Sequence, residues 1–335
     1  MNIIVGCDFH SRFQLLVVHD MTSQSRREVR LEHDDPGQVA SFYRQLPPGS
    51  LLLIESTAFT HWFLDLIADM PLRVKMGCAG RLAAMRPKKV KTDRRDAAHL
   101  VDMYLQGAFP EIAMPTAAQR ELRHLLLHRD RLVRMRTRLK NGLHWLAMNH
   151  GLNRKSGLFT TKGRRELAQL RLDRWERVGR EDMVLLHDQL EVRIAELDQE
   201  VRRAAEADAA AARLMLYPGV GAVTALAWVL IMGDCSRFPT SAHAASYIGL
   251  VPSEDSSGSR RRLGAITKQG NRFLRWVLVQ AAQTAVRGDA ELGRYYKRLA
   301  ARKKTATAKV AVARKLSERL YWMCRRGVGY PEVVR

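Results

Sequence analysis

Four carboxylates in this chain sit where they could do chemistry together. Asp8 closes the first apolar run, Glu55 terminates a second one, and Asp93 and Asp96 open a helical stretch three residues apart. Helix positions i and i+3 share a face, with Cβ atoms about 5 to 6 Å apart, so Asp93 and Asp96 can point at one cation. Strand-end carboxylates beside such a pair make an all-oxygen donor set, suited to Mg²⁺ or Mn²⁺ rather than zinc. Two such ions about 4 Å apart polarise a phosphodiester and stabilise both its attacking and its leaving oxygen. Each acid also has a purely structural use. Asp93 can cap its helix while Asp96 offsets the dipole, and Asp8 can close a turn. Glu55 is harder to explain that way, because an acid ending a buried strand needs a partner.

A second constellation lies far along the chain. Residues 252–264 hold Ser253, Ser256, Ser257 and Ser259 around Gly258, followed at once by Arg260, Arg261 and Arg262. A serine in a flexible turn beside guanidinium groups could attack a phosphodiester whose charge those groups neutralise. The same loop could equally do no more than grip backbone phosphates. Upstream, Pro218-Gly219-Val220-Gly221 precedes an apolar helix and resembles a helix-hairpin-helix turn. There Gly219 and Gly221 would let backbone N–H groups approach a phosphate at a helix N-terminus, or would simply turn the chain.

The charge balance gives these sites a class of substrate. Lys+Arg number 56 against Asp+Glu 34 in 335 residues, a formal net charge of +22. In a folded protein such an excess points to a polyanionic partner, DNA or RNA. Hydrophobic residues at 46% and charged ones at 27% are globular proportions, which argues against a wholly disordered basic chain. No apolar run reaches the roughly 18 to 20 residues of a membrane span, so no membrane partner and a cytoplasmic location are expected. The four cysteines are scattered without CxxC spacing, so neither a zinc site nor a disulfide framework is indicated.

Three kinds of element must position these residues. Short runs at 2–7, 13–19 and 27–33 read as strands joined by tight turns, followed by a helix at 36–45. A buried strand at 50–54, a helix at 61–69, a strand at 72–78, a basic loop and a helix at 93–105 complete an α/β plan with a mixed sheet. From residue 119 an apolar seam of period near 3.5 runs to Leu146, with Arg131, Arg134 and Arg138 among the basic residues on its other faces. A second seam runs from Leu186 to Ala204, after a polar, basic connector at 153–180. Two such helices form an antiparallel hairpin or a coiled coil between subunits. The last third is helical, with Lys268 and Arg272 just beyond the serine-rich loop. The expected organisation is α/β plus all-α: an acid-bearing domain at 1–110, a helical coiled-coil region at 115–210, and a helical domain at 211–335 carrying the serines.

The order Asp8, Glu55, Asp93, Asp96 on this plan resembles the RNase-H-like fold of RuvC-type nucleases. More narrowly, the strings GCDFH, IESTAF and KTDRRDAAHL are similar to the DEDD transposases of bacterial insertion sequences related to the Piv DNA invertase. The C-terminal strings YPGVGAVTA and RFPTSAHAASYIGLVPSEDSSGSRRRLGAITKQGNRFLR resemble that family's second conserved region. The resemblance covers about two-thirds of the chain. It implies that the four acids hold Mg²⁺ or Mn²⁺, and that the serine before the glycine, Ser257, becomes covalently joined to DNA, with Ser256 adjacent to it. Arg260, Arg261, Arg262 and Lys268 would then steady flanking phosphates. It further implies donor and target DNA as substrates, a non-coding guide RNA as partner, and a homo-oligomer, dimer or tetramer. Aromatics are only 7%, and nothing resembles an RNA-recognition motif, so binding by shape and backbone is expected, with sequence choice left to base pairing. Two rivals stand beside this reading: a RuvC-like endonuclease using the acids and water, and a non-catalytic nucleic-acid-binding protein with structural acids.

Overall fold

The computed structural model describes residues 2–57, 60–85, 93–154, 156–254, 262–330 and 332–334, apart from the side chains of Asp93, Arg94, Leu263 and Val334. The chain divides into two compact units, Met1–Met114 and Pro115–Arg335.

The first unit is built on a mixed six-stranded sheet. Its strands are β1 (Ile3–Phe9), β2 (Phe13–Asp20), β3 (Arg26–Glu32), β4 (Leu51–Glu55), β5 (Arg73–Gly77) and β6 (Glu111–Ile112), in the order β3-β2-β1-β4-β5-β6. The first three form an antiparallel meander, β1 runs parallel to β4 and β4 to β5, and β6 closes the edge antiparallel. Along β4 the period of two sorts the leucines: Leu52 and Ile54 face helices α1 (Pro36–Arg44) and α2 (His61–Leu66), with Tyr43 and Phe63 in that core. Leu51 and Leu53 face the opposite core, which Leu82 of α3 (Ala79–Met85) shares with Ala97, Leu100 and Val101 of α4 (Asp93–Leu105). A strand apolar on both sides is what a central parallel position requires. The expected mixed α/β plan is therefore observed, with α3 and the short β6 added.

The second unit is helical except for one small hairpin. A capping box starts α5 (Ala117–Asn149): Thr116 Oγ1 accepts from the Gln119 N–H at 3.2 Å, and Gln119 Oε1 from the Thr116 N–H at 3.1 Å. It packs antiparallel on α7 (Arg174–Ala207) within one chain; a Cβ on Gly142 would stand 2.9 Å from Met183 Sδ. The sequence left open whether the two seams meet within a chain or between subunits. These meet within one. The connector expected between them contains a helix, α6 (Thr161–Ala168), and a core of its own, formed by Leu143, Ala147, Leu158 and Leu167.

At the other end, Leu126, Val201 and Ala205 enter the same core as α8 (Ala209–Met215), α9 (Ala222–Met232) and α10 (Ser241–Ile248). A hairpin follows, β7 (Pro252–Glu254) with β8 (Leu263–Ile266), and then α11 (Arg272–Gly288), α12 (Ala290–Ala300) and α13 (Thr305–Arg326). Trp228, Tyr217 and Tyr321 are the largest side chains wholly buried in this core.

Candidate active site

Two of the four expected acids, Asp8 and Glu55, stand at the rim of one face of the sheet, and a third, Asp96, lies on α4, the helix packed on that face. Ile4 lies in the core beneath α4, and a Cβ on Gly6 would fall 2.1 Å from the Ala97 carbonyl oxygen, so β1 turns that face toward α4. Asp8 is the next residue on the same face. On the neighbouring strand Leu51 and Leu53 lie under α4, and Glu55 continues their row. The parallel register matches Cys7 with Ile54, so Asp8 and Glu55 follow a paired position at the C-terminal ends of adjacent strands. Gly6 has no side chain, which lets α4 settle against the strand at Ala97, the residue after Asp96. Asp96 is 7% exposed and the Asp8 side chain 15%. Asp93 begins α4 one turn earlier.

His10 joins this rim. Its Nε2 lies 3.1 Å from Asp8 Oδ2, and its ring stacks on Phe13 at 4.5 Å. Sequence reasoning passed over it, although it ends the string GCDFH. The neighbouring Cys7 points to the other face. There its thiol donates to Gln14 Oε1 at 3.3 Å, and burial pushes its pKa far up, so it is a core group and not a ligand.

The carboxylates make a donor set chemically suited to a hard divalent cation. Among the described residues, no group of three or more His, Cys, Asp or Glu is close enough to hold a metal ion. The Asp93 side chain, the fourth of the set, falls outside those residues.

The serine-rich segment falls, in sequence, between β7 and β8. Ser256, Ser257, Ser259, Arg260 and Arg261 lie outside the described residues; Arg262 is described and exposed. Ser253 donates its hydroxyl to the Ala265 carbonyl at 3.0 Å and so ties the two strands of the hairpin. The base of the hairpin is locked to α10 and α11. The Thr267 N–H reaches the Val251 carbonyl at 2.9 Å and the Lys268 N–H that of Gly249 at 3.2 Å. Gly249 and Gly270 both have positive φ, and a Cβ on either would strike backbone at 1.9 Å. Arg275 Nη1 reaches the Ile248 carbonyl at 2.8 Å. Lys268, itself at φ 55, and Arg272 are exposed beside this base.

The glycine turn before α9 is fixed from behind. Gly219 has φ +85, and a Cβ there would stand 2.5 Å from the Ala285 N of α11, so close packing alone requires glycine. Gly221 is the exposed N-cap of α9. The turn hangs on Tyr217, whose hydroxyl donates to Asp289 Oδ2 at 2.6 Å, while Arg319 contacts Tyr217, Asp289 and Glu291. Burial would raise the Asp289 pKa, but the Tyr217 and backbone hydrogen bonds and the Arg319 charge bring it below the usual carboxylate range.

The arginines of α5 divide into two groups. Arg123 donates to the Leu230 carbonyl, Arg129 to Asp198 at 2.5 Å, and Arg136 to Glu191 at 3.1 Å. Arg131, Arg134 and Arg138 are exposed; Arg134 pairs with Asp130 at 2.7 Å and lies 6.0 Å from the Trp276 ring centroid. Among the described residues no helix is long and apolar enough to cross a membrane.

An acid-bearing mixed sheet joined in one chain to a basic helical unit suits an enzyme that acts on DNA. Comparison with known proteins agrees. The model of the Transposase IS116/IS110/IS902 family matches residues 211–297, and that of the IS110-type DEDD domain, described as "Transposase", matches residues 5–147. A Pseudomonas aeruginosa protein described as "Probable family 20 transposase" is 30% identical over 299 residues, 85% of this chain and 86% of that one. The transposase for insertion sequence element IS1111A of Coxiella burnetii is 29% identical over 259 residues, 75% of this chain and 69% of its own length. For that of IS1328 of Yersinia enterocolitica the figures are 26% over 252 residues and 73% of each chain. The chain belongs to the IS110/IS116/IS902 family of insertion-sequence transposases. It is an enzyme that cleaves and rejoins DNA, and its DEDD domain suggests dependence on a divalent metal.

Proposed function

We propose that the chain transposes its insertion sequence through a covalent phosphoserine intermediate, with Ser257 as nucleophile and the acid rim as the metal-dependent partner. The observation that carries this reading is the placement of Asp8 and Glu55 on the face of the sheet that α4 covers, with Asp96 on α4 itself, in a stretch matched by a DEDD transposase domain. The order of the sheet supports an RNase-H-like fold for this unit. Asp8, Glu55, Asp93 and Asp96 would hold Mg²⁺ or Mn²⁺, which when bound neutralises the non-bridging oxygens of the scissile phosphate. His10, hydrogen-bonded to Asp8, orients that carboxylate.

In the covalent step the Ser257 Oγ–P bond forms as the P–O bond to one DNA strand end breaks. The serine proton leaves to a base, and the departing DNA oxygen takes up a proton. Because the phosphoserine keeps the bond energy, a second strand's hydroxyl reverses the step without ATP. Arg260, Arg261, Arg262, Lys268 and Arg272 flank that serine with positive charge. The +22 net charge and the scarcity of base-reading elements support a guide RNA that supplies sequence choice by pairing.

The α5–α7 hairpin supports a homodimer. A groove of about 990 Å³ runs along it, lined by Leu132, Met135, Leu139, Leu186, Leu190 and Leu197, with Arg193 and Glu196 at its border. A second copy related by a two-fold axis would cover these apolar groups, while Arg193 and Glu196 pair with each other along α7 at 2.7 Å.

The test uses DNA carrying the element's end. Wild-type protein leaves a denaturation-resistant protein–DNA adduct, and Ser257→Ala leaves none. Cleavage that persists in Ser257→Ala without an adduct would instead establish hydrolysis by the acids and water.

A further inference from the structure

We propose that the distal end of the α5–α7 hairpin is a docking site for an unpaired stretch of nucleic acid, with a base stacked on Trp175 and its flanking phosphates held by the arginines around it. This rests on the nucleic-acid reading of the chain but concerns a surface remote in sequence from the acids and the serine.

The segment is a built structure and not a linker. Leu143, Ala147, Leu158 and Leu167 form its core, Arg154 pairs with Glu166, and Arg164 holds Asp188 in two contacts. Arg180 ties α7 to the end of α6 through the Ala168 carbonyl at 2.9 Å. His150 meets Glu176 at 3.0 Å, so the last turn of α5 and the first of α7 stand side by side.

This frame presents two features without a use inside the fold. Trp175 is 73% exposed, the most exposed of the large apolar side chains, and the Arg174 guanidinium lies 5.0 Å from its ring centroid. Trp145 and Met148, 62% and 56% exposed, lie at the same end of the hairpin. In sequence, residues 150–180 hold nine Lys or Arg and three Asp or Glu. Two of those acids are already engaged, Glu166 with Arg154 and Glu176 with His150. Lys162, Arg165, Arg171, Arg174 and Arg177 are exposed and make no ion pair among the described residues.

The apolar groove nearer the middle of the hairpin mixes both signs of charge and suits a second copy. At the tip, two copies would bring like charges together, so the tip fits a polyanion with a flat apolar surface. A nucleic acid with an exposed base has both, since base stacking on an aromatic ring and phosphate contacts to arginine combine in single-strand binding. Two sources supply that chemistry, an RNA loop or a displaced DNA strand.

The full-length protein would be irradiated with single-stranded oligonucleotides carrying 5-iodouracil, one DNA and one RNA, and the crosslinks mapped by mass spectrometry. The expected crosslink is to Trp175, and whichever of the two competes more strongly identifies the source. Trp175→Ala should lower affinity on the order of tenfold, and Trp175→Phe should restore most of it. The triple variant Arg171→Gln, Arg174→Gln, Arg177→Gln should reduce the slope of log affinity against log salt by about 2. All four positions are exposed, so melting temperature should be unchanged. Crosslinks confined to other segments, with affinity unaltered in these variants, would overturn the site while leaving nucleic-acid binding intact. Loss of binding to anionic lipid vesicles in their place would overturn it in favour of a membrane surface. Absence of any binding by the wild-type protein would overturn both this site and the broader reading.

Discussion

In the sheet unit strand register sets Asp8 and Glu55 at one rim and a glycine contact seats α4, which carries Asp96, on the same face, whereas along α5 the arginines are shared between building the fold and facing outward. Arg123, Arg129 and Arg136 are spent on a carbonyl and two carboxylates, while Arg131, Arg134 and Arg138 stay at the surface. The placement of the acids is thus set by the backbone elements that carry them. The basic charge is a distributed feature, of which only part is available to a ligand. A net charge of +22 therefore overstates what a nucleic acid meets in α5, and the position of single arginines matters more than their number.

This contrast can be broken at graded strengths. The largest effect should come from Arg319→Leu, which strands Asp289, 1% exposed, without its cation; chemical denaturation should show a loss of about 3 to 5 kcal/mol. Gly6→Val should follow, because the new side chain meets the Ala97 carbonyl. A loss of about 2 to 3 kcal/mol is expected, and strand cleavage should fail although all four acids remain. Within α5 two similar-looking changes should separate. Arg136→Gln removes a partly exposed ion pair and should cost at most about 1 kcal/mol with little change in salt dependence. Arg131→Gln should leave stability alone, and if Arg131 meets a phosphate the log–log salt slope should fall by about 0.9.

The smallest expected effect is on pH dependence. The Arg164 hydrogen bonds hold Asp188 at a pKa of about 2, below its ordinary value. A carboxylate depressed on folding stabilises the native state above its unfolded pKa near 4, and that contribution is lost as pH falls toward 2. Melting temperatures of wild type and Arg164→Gln should therefore converge over that window. Parallel curves would mean the pair contributes nothing to the hairpin end.

Much of the sheet unit was legible in the sequence because its strands are apolar runs bounded by turns. The observed Phe13–Asp20, Leu51–Glu55 and Arg73–Gly77 differ from the expected spans by a residue or so at an end, and α4 covers the expected 93–105. Asp8 and Glu55 stood out for the same reason, as polar residues ending apolar runs, whereas Asp93 and Asp96 stood out by their spacing at a helix start. The β7–β8 hairpin was not, since strands of three and four residues with Pro252, Ser253 and Gly264 carry no alternation. The folded end of the α5–α7 hairpin was hidden too, because Leu143, Leu158 and Leu167 come from three segments and show no common period. His10 was missed because its contact with Asp8 depends on how the chain leaves β1, which composition does not encode. Gly219 was legible as a special backbone position, but its closest neighbour, α11, comes from far along the chain.

The claim that the acid rim performs the strand chemistry is tested most directly by Asp96→Asn. Binding and cleavage of the element's end would be measured side by side with Mg²⁺ present and with it chelated. The account predicts wild-type affinity for the folded variant, with cleavage lost to the level of chelated wild type. Cleavage by Asp96→Asn at the wild-type rate and with the same metal dependence would contradict it.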